Sequence, residues 1–467
     1  MSLPTPQQGL AWANQTNVHW VGLTFALLLA FGLLVLPRRW APVTFLALAC
    51  FIPSGQRVVV LGLDFSFLRI MILFGWLRVV VRREYAGFSF HALDLVLLAW
   101  VLVGLIAYTL CHRTPDALIF KLGTAFGAVG LYFVFRFLVR NWVDLDRLAL
   151  ILSLLAVPVC LAFLIERATG RNLFSIFGGV QEFTEVRQGR LRCQGAFSHP
   201  ILAGCFWAAA FPLIAARFWA GGHDRISSVI GSLCALTIIA LTASSTPAMA
   251  AGAAILGGCC FLIRRFMAVG RIVLLVGIVG LHLAMNAPVW HLIARFNIVG
   301  GSTGWYRFFL IDETIKHFDE WWLLGTSDTG HWGRGLSDVT NQYVLEAVEG
   351  GLPGLLLFLG LVVLGFRAVG RTWRSAWPDR ASVALSWALG VSLLTQCVSF
   401  FGVAFFDQTG ILWSLVLACL ASMSTASTAA SLSARTQPKQ RELCEQAPPV
   451  AQRGALRLFA SPRWFGA

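Results

Sequence analysis

Arg187, Arg190 and Arg192 crowd into the stretch Arg187-Gln-Gly-Arg-Leu-Arg-Cys-Gln-Gly-Ala-Phe-Ser-His-Pro200, which lies between two long apolar runs. Guanidinium groups gathered there need an anion. On the side of a bilayer where basic residues are disfavoured, such a cluster points to a phosphate-bearing ligand. Planar paired N–H donors that never lose their charge suit phosphate oxygens.

A second set of reactive side chains lies between Ala287 and Gln342, where Arg295, Arg307, Lys316 and Arg334 stand among Asp312, Glu313, Asp319, Glu320, Asp328 and Asp338. Residues 305–318 read as an amphipathic helix. Arg307, Leu310, Ile311 and Thr314 share one face at spacings of three and four, which aims Arg307 inward. The run Gly325-Thr-Ser-Asp-Thr-Gly330 reads as a turn. Beyond it, Asp338-Val-Thr-Asn-Gln-Tyr343 carries polar groups directly into an apolar segment.

The elements that hold these loops are membrane spans. Hydrophobic residues make up 57% of the 467-residue chain and charged residues 12%, and the mean hydropathy is +0.74. That balance excludes a soluble globular protein. About 13 apolar segments approach the roughly 20 residues a helix needs to cross the hydrocarbon. They lie near 19–36, 41–61, 65–81, 91–110, 117–139, 147–165, 200–219, 226–243, 246–263, 269–287, 344–366, 381–402 and 405–423. The expected fold is an all-α polytopic transmembrane helix bundle of about 12–14 spans with a large, partly helical extracytoplasmic loop. The divisions are N-terminal spans 1–165, an Arg-rich extracytoplasmic loop 166–199, central spans 200–287, a large extracytoplasmic loop 288–343, C-terminal spans 344–423 and a disordered cytoplasmic tail 424–467. The first segment has no signal-peptide pattern and reads as an anchor.

Basic residues gather at alternate connections, at Arg38 and Arg39, Arg82 and Arg83, 136–147, 217–225, 264–271 and 367–380, which marks those loops as cytoplasmic. All but three of the 36 basic residues are arginine, a preference that genome base composition can produce. The net charge of +14 therefore belongs to the loops, and no nucleic-acid-binding pattern is present. The 11 cysteines lie mostly within spans, without metal-ligand spacing. Arg69 and Arg136 stand at span ends, where snorkelling accounts for them.

Two motifs carry a resemblance. Arg192-x-x-Gly-Ala-Phe-Ser-His-Pro precedes one span, and Asn341-Gln-Tyr-Val-Leu-Glu-x-x-x-x-Gly-Leu-Pro-Gly-Leu precedes a later one. With the intervening arginine, aromatic helix and glycine turn, residues 150–410 resemble the O-antigen ligase and O-antigen polymerase superfamily. The resemblance implies glycosyl transfer on the extracytoplasmic face of a bacterial cytoplasmic membrane, from a polyprenyl-diphosphate-linked glycan such as an undecaprenyl diphosphate donor to an acceptor glycan or lipid. It implies no metal, cofactor or nucleotide sugar. The products would be O-antigen or exopolysaccharide of the cell envelope, with membrane lipids, a chain-length regulator and a flippase as partners.

Carried over, Arg192 and Arg307 hold the diphosphate, with Arg190 beside them, and stabilise its departure. The family's usual His ahead of the late-span Asn is Thr340 here. A threonine hydroxyl takes no proton near neutral pH, so the base falls first to Asp338 and second to His331. Asn341, His199 and Tyr343 support the site.

Each residue also has a plain structural reading. Arg187, Arg190 and Arg192 can bind lipid headgroups, and Arg307 can pair with Glu313. Asp338 or Asn341 can cap the late span, His199 can be interfacial, Tyr343 can join an aromatic belt, and Asp407 can be solvated. Gly351, Pro353 and Gly354 fit a kink. Two other classes compete with an enzyme: a transporter, which would place ionisable groups at mid-membrane, and a non-catalytic subunit of a polysaccharide export complex.

Overall fold

A computed structural model describes residues 16–60, 62–220, 223–295 and 304–445. Helices dominate: α1 (Trp20–Val35), α2 (Pro42–Phe51), α3 (Phe67–Val81), α4 (Ala92–His112), α5 (Pro115–Leu138), α6 (Trp142–Thr169), α7 (Pro200–Ala216), α8 (His223–Leu241), α9 (Ser245–Cys259), α10 (Met267–Ala284), α11 (Leu292–Arg295), α12 (Gly304–Lys316), α13 (Phe318–Trp321), α14 (Gln342–Ser375), α15 (Arg380–Ser399) and α16 (Gln408–Glu445). Two antiparallel hairpins complete the described residues, β1 (Arg57–Val60) with β2 (Leu63–Ser66), and β3 (Val186–Arg187) with β4 (Arg190–Leu191). The fold is an all-α polytopic transmembrane bundle.

Every apolar segment contains a helix, but the lengths differ from expectation. Among the described residues nine helical stretches are long and apolar enough to cross a membrane, and one of them, Ser245–Ala284, joins two segments through a tightened 3₁₀ turn. The segment at 41–61 divides. Its helix stops at Phe51, because Pro53 cannot donate to a helix and Gly55 favours a turn, and the β-branched run Val58-Val59-Val60 then pairs as a strand. α16 runs on to Glu445, past the start of the expected tail, and residues 446–467 lie outside the described ones.

The core is built on α7, α15 and the apolar first half of α16, most of whose residues are buried. α7 is rich in alanine, with Gly204 against Pro247 of α9, so neighbouring backbones approach closely. α10 has no buried residue and lies at the periphery.

Arg136 does not snorkel. It forms a two-pronged pair with Asp94, Nε to Oδ1 and Nη2 to Oδ2 both at 2.8 Å, while Tyr132 donates to Asp94 at 2.5 Å and Arg136 Nη1 donates to Ser422 at 2.9 Å. An acid one turn into α4 supplies this partner, which local hydropathy does not reveal.

The expected kink in α14 sits at Gly351, whose φ of 65° leaves the helical region. The backbone groups freed there bind the preceding loop: Leu352 N–H donates to Trp322 O and Thr326 N–H donates to Val348 O, both at 2.8 Å. A Cβ at Gly351 would collide with Leu323 O, so only glycine lets the loop rest on the helix.

Candidate anion site

The Arg-rich loop is shaped by a hairpin and a carboxylate. Gln188 and Gly189 both have positive φ, 51° and 72°, the geometry of a tight two-residue turn between β3 and β4. Arg187 and Arg190 face each other across it, both exposed. Behind them, Glu166 at the end of α6 is fully buried and receives Thr184 Oγ1, Gln194 N–H and Gly195 N–H, each at 3.1 Å. Asn172 Nδ2 donates to Gly195 O at 2.7 Å. Gly195 itself has φ of 59°, and a Cβ there would strike the Phe163 ring. These clamps turn Arg192 into the protein, where it is 4% exposed.

Arg192 Nη2 donates to Ser244 Oγ at 2.8 Å, in the turn between α8 and α9. Its Nη1 lies 3.2 Å from Glu185, a carboxylate left 47% exposed at the mouth. Arg307 reaches the same turn from the other loop. α12 forms as its periodicity requires and buries Arg307, Leu310, Glu313 and Thr314 on one face. Arg307 lies beside Gly402 and Thr246, two residues from Ser244.

Arg307 is 7% exposed and forms no ion pair among the described residues. The expected partner Glu313 is taken by Lys316, at 2.8 Å. Burial, and then the nearby Arg187 charge, lower the pKa of Arg307. Arg192 is lowered by burial as well, with Glu185 opposing and Arg187 adding to the shift. Arg187 thus acts on both buried arginines from the hairpin. Arg192 Nε, Arg307 Nε and Thr246 Oγ1 are buried without a hydrogen-bond partner among the described residues. Unpaired donors on two buried cations favour an anion strongly.

His199 borders this set. Its Nδ1 accepts Ile201 N–H at 3.1 Å and caps α7, so the neutral ring carries its proton on Nε2. Burial, then the Arg192 and Arg187 charges, push its pKa down to about 4. It is an uncharged donor rather than a base.

The other expected residues lie further along the loop. Asp338 is open to solvent on the Tyr306 side of α12, with its backbone oxygen receiving the Tyr306 hydroxyl, and partial burial raises its pKa. It does not cap α14, because Asn341 does, receiving Tyr343 N–H at 2.9 Å and Val344 N–H at 3.2 Å. His331 Nε2 contacts Glu320 at 2.7 Å, and its neighbour Trp332 stacks on His317. Tyr343 joins an internal cluster with Phe358, Phe400 and Phe401 rather than a surface belt, and its hydroxyl donates to Cys397 O at 2.9 Å. Asp407 receives Ser198 Oγ at 3.3 Å, which ties the α15–α16 turn to the loop ahead of α7.

Ser244, Thr246, Gly402 and Glu166 carry no sequence signal for this role; a short polar run, a glycine and an acid at a helix end are common in membrane proteins. No family model and no curated protein matches this chain.

Proposed function

We propose that this protein is a glycosyltransferase of the kind its motifs resemble. It transfers or polymerises glycan from a polyprenyl-diphosphate donor on the extracytoplasmic face of a bacterial cytoplasmic membrane. The observation that carries this reading is the convergence of Arg192 and Arg307 on the turn at Ser244 and Thr246, with Arg307 buried and lacking a carboxylate partner among the described residues. A diphosphate supplies the compensating charge, and its bridging geometry suits two forked cations.

In the reaction, an acceptor hydroxyl attacks the anomeric carbon, the bond from that carbon to the diphosphate oxygen breaks, and the electron pair leaves with the diphosphate. Arg192 and Arg307 stabilise the charge that develops on it, with Arg187 at the mouth. His199 adds a neutral N–H. Asp338 takes the acceptor proton.

The test is reconstituted full-length protein with a polyprenyl-diphosphate oligosaccharide. Arg192→Ala and Arg307→Ala abolish turnover without loss of expression, and Asp338→Asn lowers it at least about 100-fold. Full activity in either arginine variant removes the donor site. An unaffected Asp338→Asn removes the base.

A further inference from the structure

A cavity of about 290 Å³ opens between α4, α5, α14 and the start of α16, separate from the arginines. Its size falls near the lower end of small-molecule pockets, roughly 300–1,000 Å³. That volume accommodates a pyranose ring with its substituents. Apolar and aromatic groups form most of the wall, among them the indoles of Trp100 and Trp413, and a few polar groups converge within it.

The polar groups are arranged as acceptors. Glu346 receives Trp100 Nε1 on Oε2 and Gln342 Nε2 on Oε1, both at 2.7 Å, so each oxygen is oriented and keeps a free lone pair. Gln342 Oε1 is fixed in turn by Phe405 N–H at 2.7 Å. Lys121 pairs with Glu349 at 2.5 Å, and Asp407 stands on the rim. A hydrocarbon tail would leave the remaining lone pairs of Glu346 without donors. No group of three His, Cys, Asp or Glu among the described residues could hold a metal ion. Hydroxyls that donate to carboxylates and C–H faces that pack on indole satisfy both parts of the wall.

We propose that this cavity is a saccharide-binding subsite, with Glu346 as its principal hydroxyl acceptor and Trp100 as its aromatic wall. It deepens the transfer reading, and rests on it for the source of the sugar. The α15–α16 turn connects the two sites: Gly402 lies against Arg307, Phe405 holds Gln342, and Asp407 reaches both the cavity rim and Ser198. A sugar bound there lies across this turn from a diphosphate at the arginines.

The test is saturation-transfer NMR on the full chain in lipid nanodiscs, with methyl glycosides of glucose, galactose, N-acetylglucosamine and rhamnose as probes. Wild type transfers saturation to ring protons of at least one probe. Gly127→Leu removes that signal, because Gly127 lines the cavity, a Cβ there meets nothing within 4 Å, and the larger side chain takes up space the sugar needs. Glu346→Gln weakens binding about tenfold or more. Silence from all four probes in wild type, or an undiminished signal in Gly127→Leu, overturns the subsite. Binding of polyprenyl diphosphate to wild type and Arg307→Ala, measured in the same discs, separates the two claims. Equal binding to both sinks the donor site and leaves the sugar result intact, whereas Arg307-dependent binding with silent probes sinks only the subsite.

Discussion

Gly402 lies directly against Arg307: a Cβ built on Gly402 would be 3.2 Å from Arg307 Cζ and 2.5 Å from Thr246 Oγ1. Space for the buried guanidinium is therefore reserved by a residue nearly a hundred positions away, in the turn after α15.

Gly402→Ala tests that reservation. Thr246 is buried at the start of α9 and cannot swing aside, so the added methyl displaces Arg307 and overpacks the turn. The expected cost is about 1–3 kcal/mol of stability, with pyrophosphate affinity lowered about tenfold or more. Calorimetric titration and thermal unfolding in detergent measure both. Unchanged pyrophosphate binding would show that Arg307 does not depend on this space.

Arg307→Ala separates a functional cation from a structural one. A buried charge without a partner costs stability, so its removal leaves the thermal midpoint unchanged or raised while donor binding is lost. Arg307→Lys keeps the charge but not the planar fork, and recovers only part of that binding. A large drop in thermal midpoint for Arg307→Ala would instead mark the residue as part of the scaffold.

Glu166→Gln places an NH2 group against backbone donors. One of the acceptor positions serving Thr184, Gln194 and Gly195 is lost, at about 1–3 kcal/mol for a buried unsatisfied group. Arg192 then loses its fixed approach to Ser244. Turnover and thermal midpoint fall together in this variant, whereas Arg307→Ala separates them.

His199 gives the chain a pH signature. Its pKa of about 4 in the fold lies below the ordinary value of roughly 6.5, so the unfolded chain takes up the proton more readily. The stability from the neutral ring is complete above about pH 6.5 and is lost as pH falls toward 4. His199→Asn keeps an acceptor for Ile201 N–H but cannot titrate, so its thermal midpoint varies less than wild type between those limits. Parallel curves for the two proteins would place the His199 proton elsewhere.

The sequence by itself determined what depends on neighbours along the chain. Apolar runs located the thirteen helical segments, the three-and-four spacing around Arg307 set its inward face, and Gly351 marked the kink, because period and backbone freedom are local properties. Hydropathy could not separate helix from strand at 57–60, where the same apolar residues suit both. Tertiary structure alone decided which groups meet. It joined Arg192 to Ser244, Arg307 to Gly402, Arg136 to Asp94 and Glu346 to Trp100. Most of these pairings connect residues far apart in the chain, and only helix packing brings them within reach of one another.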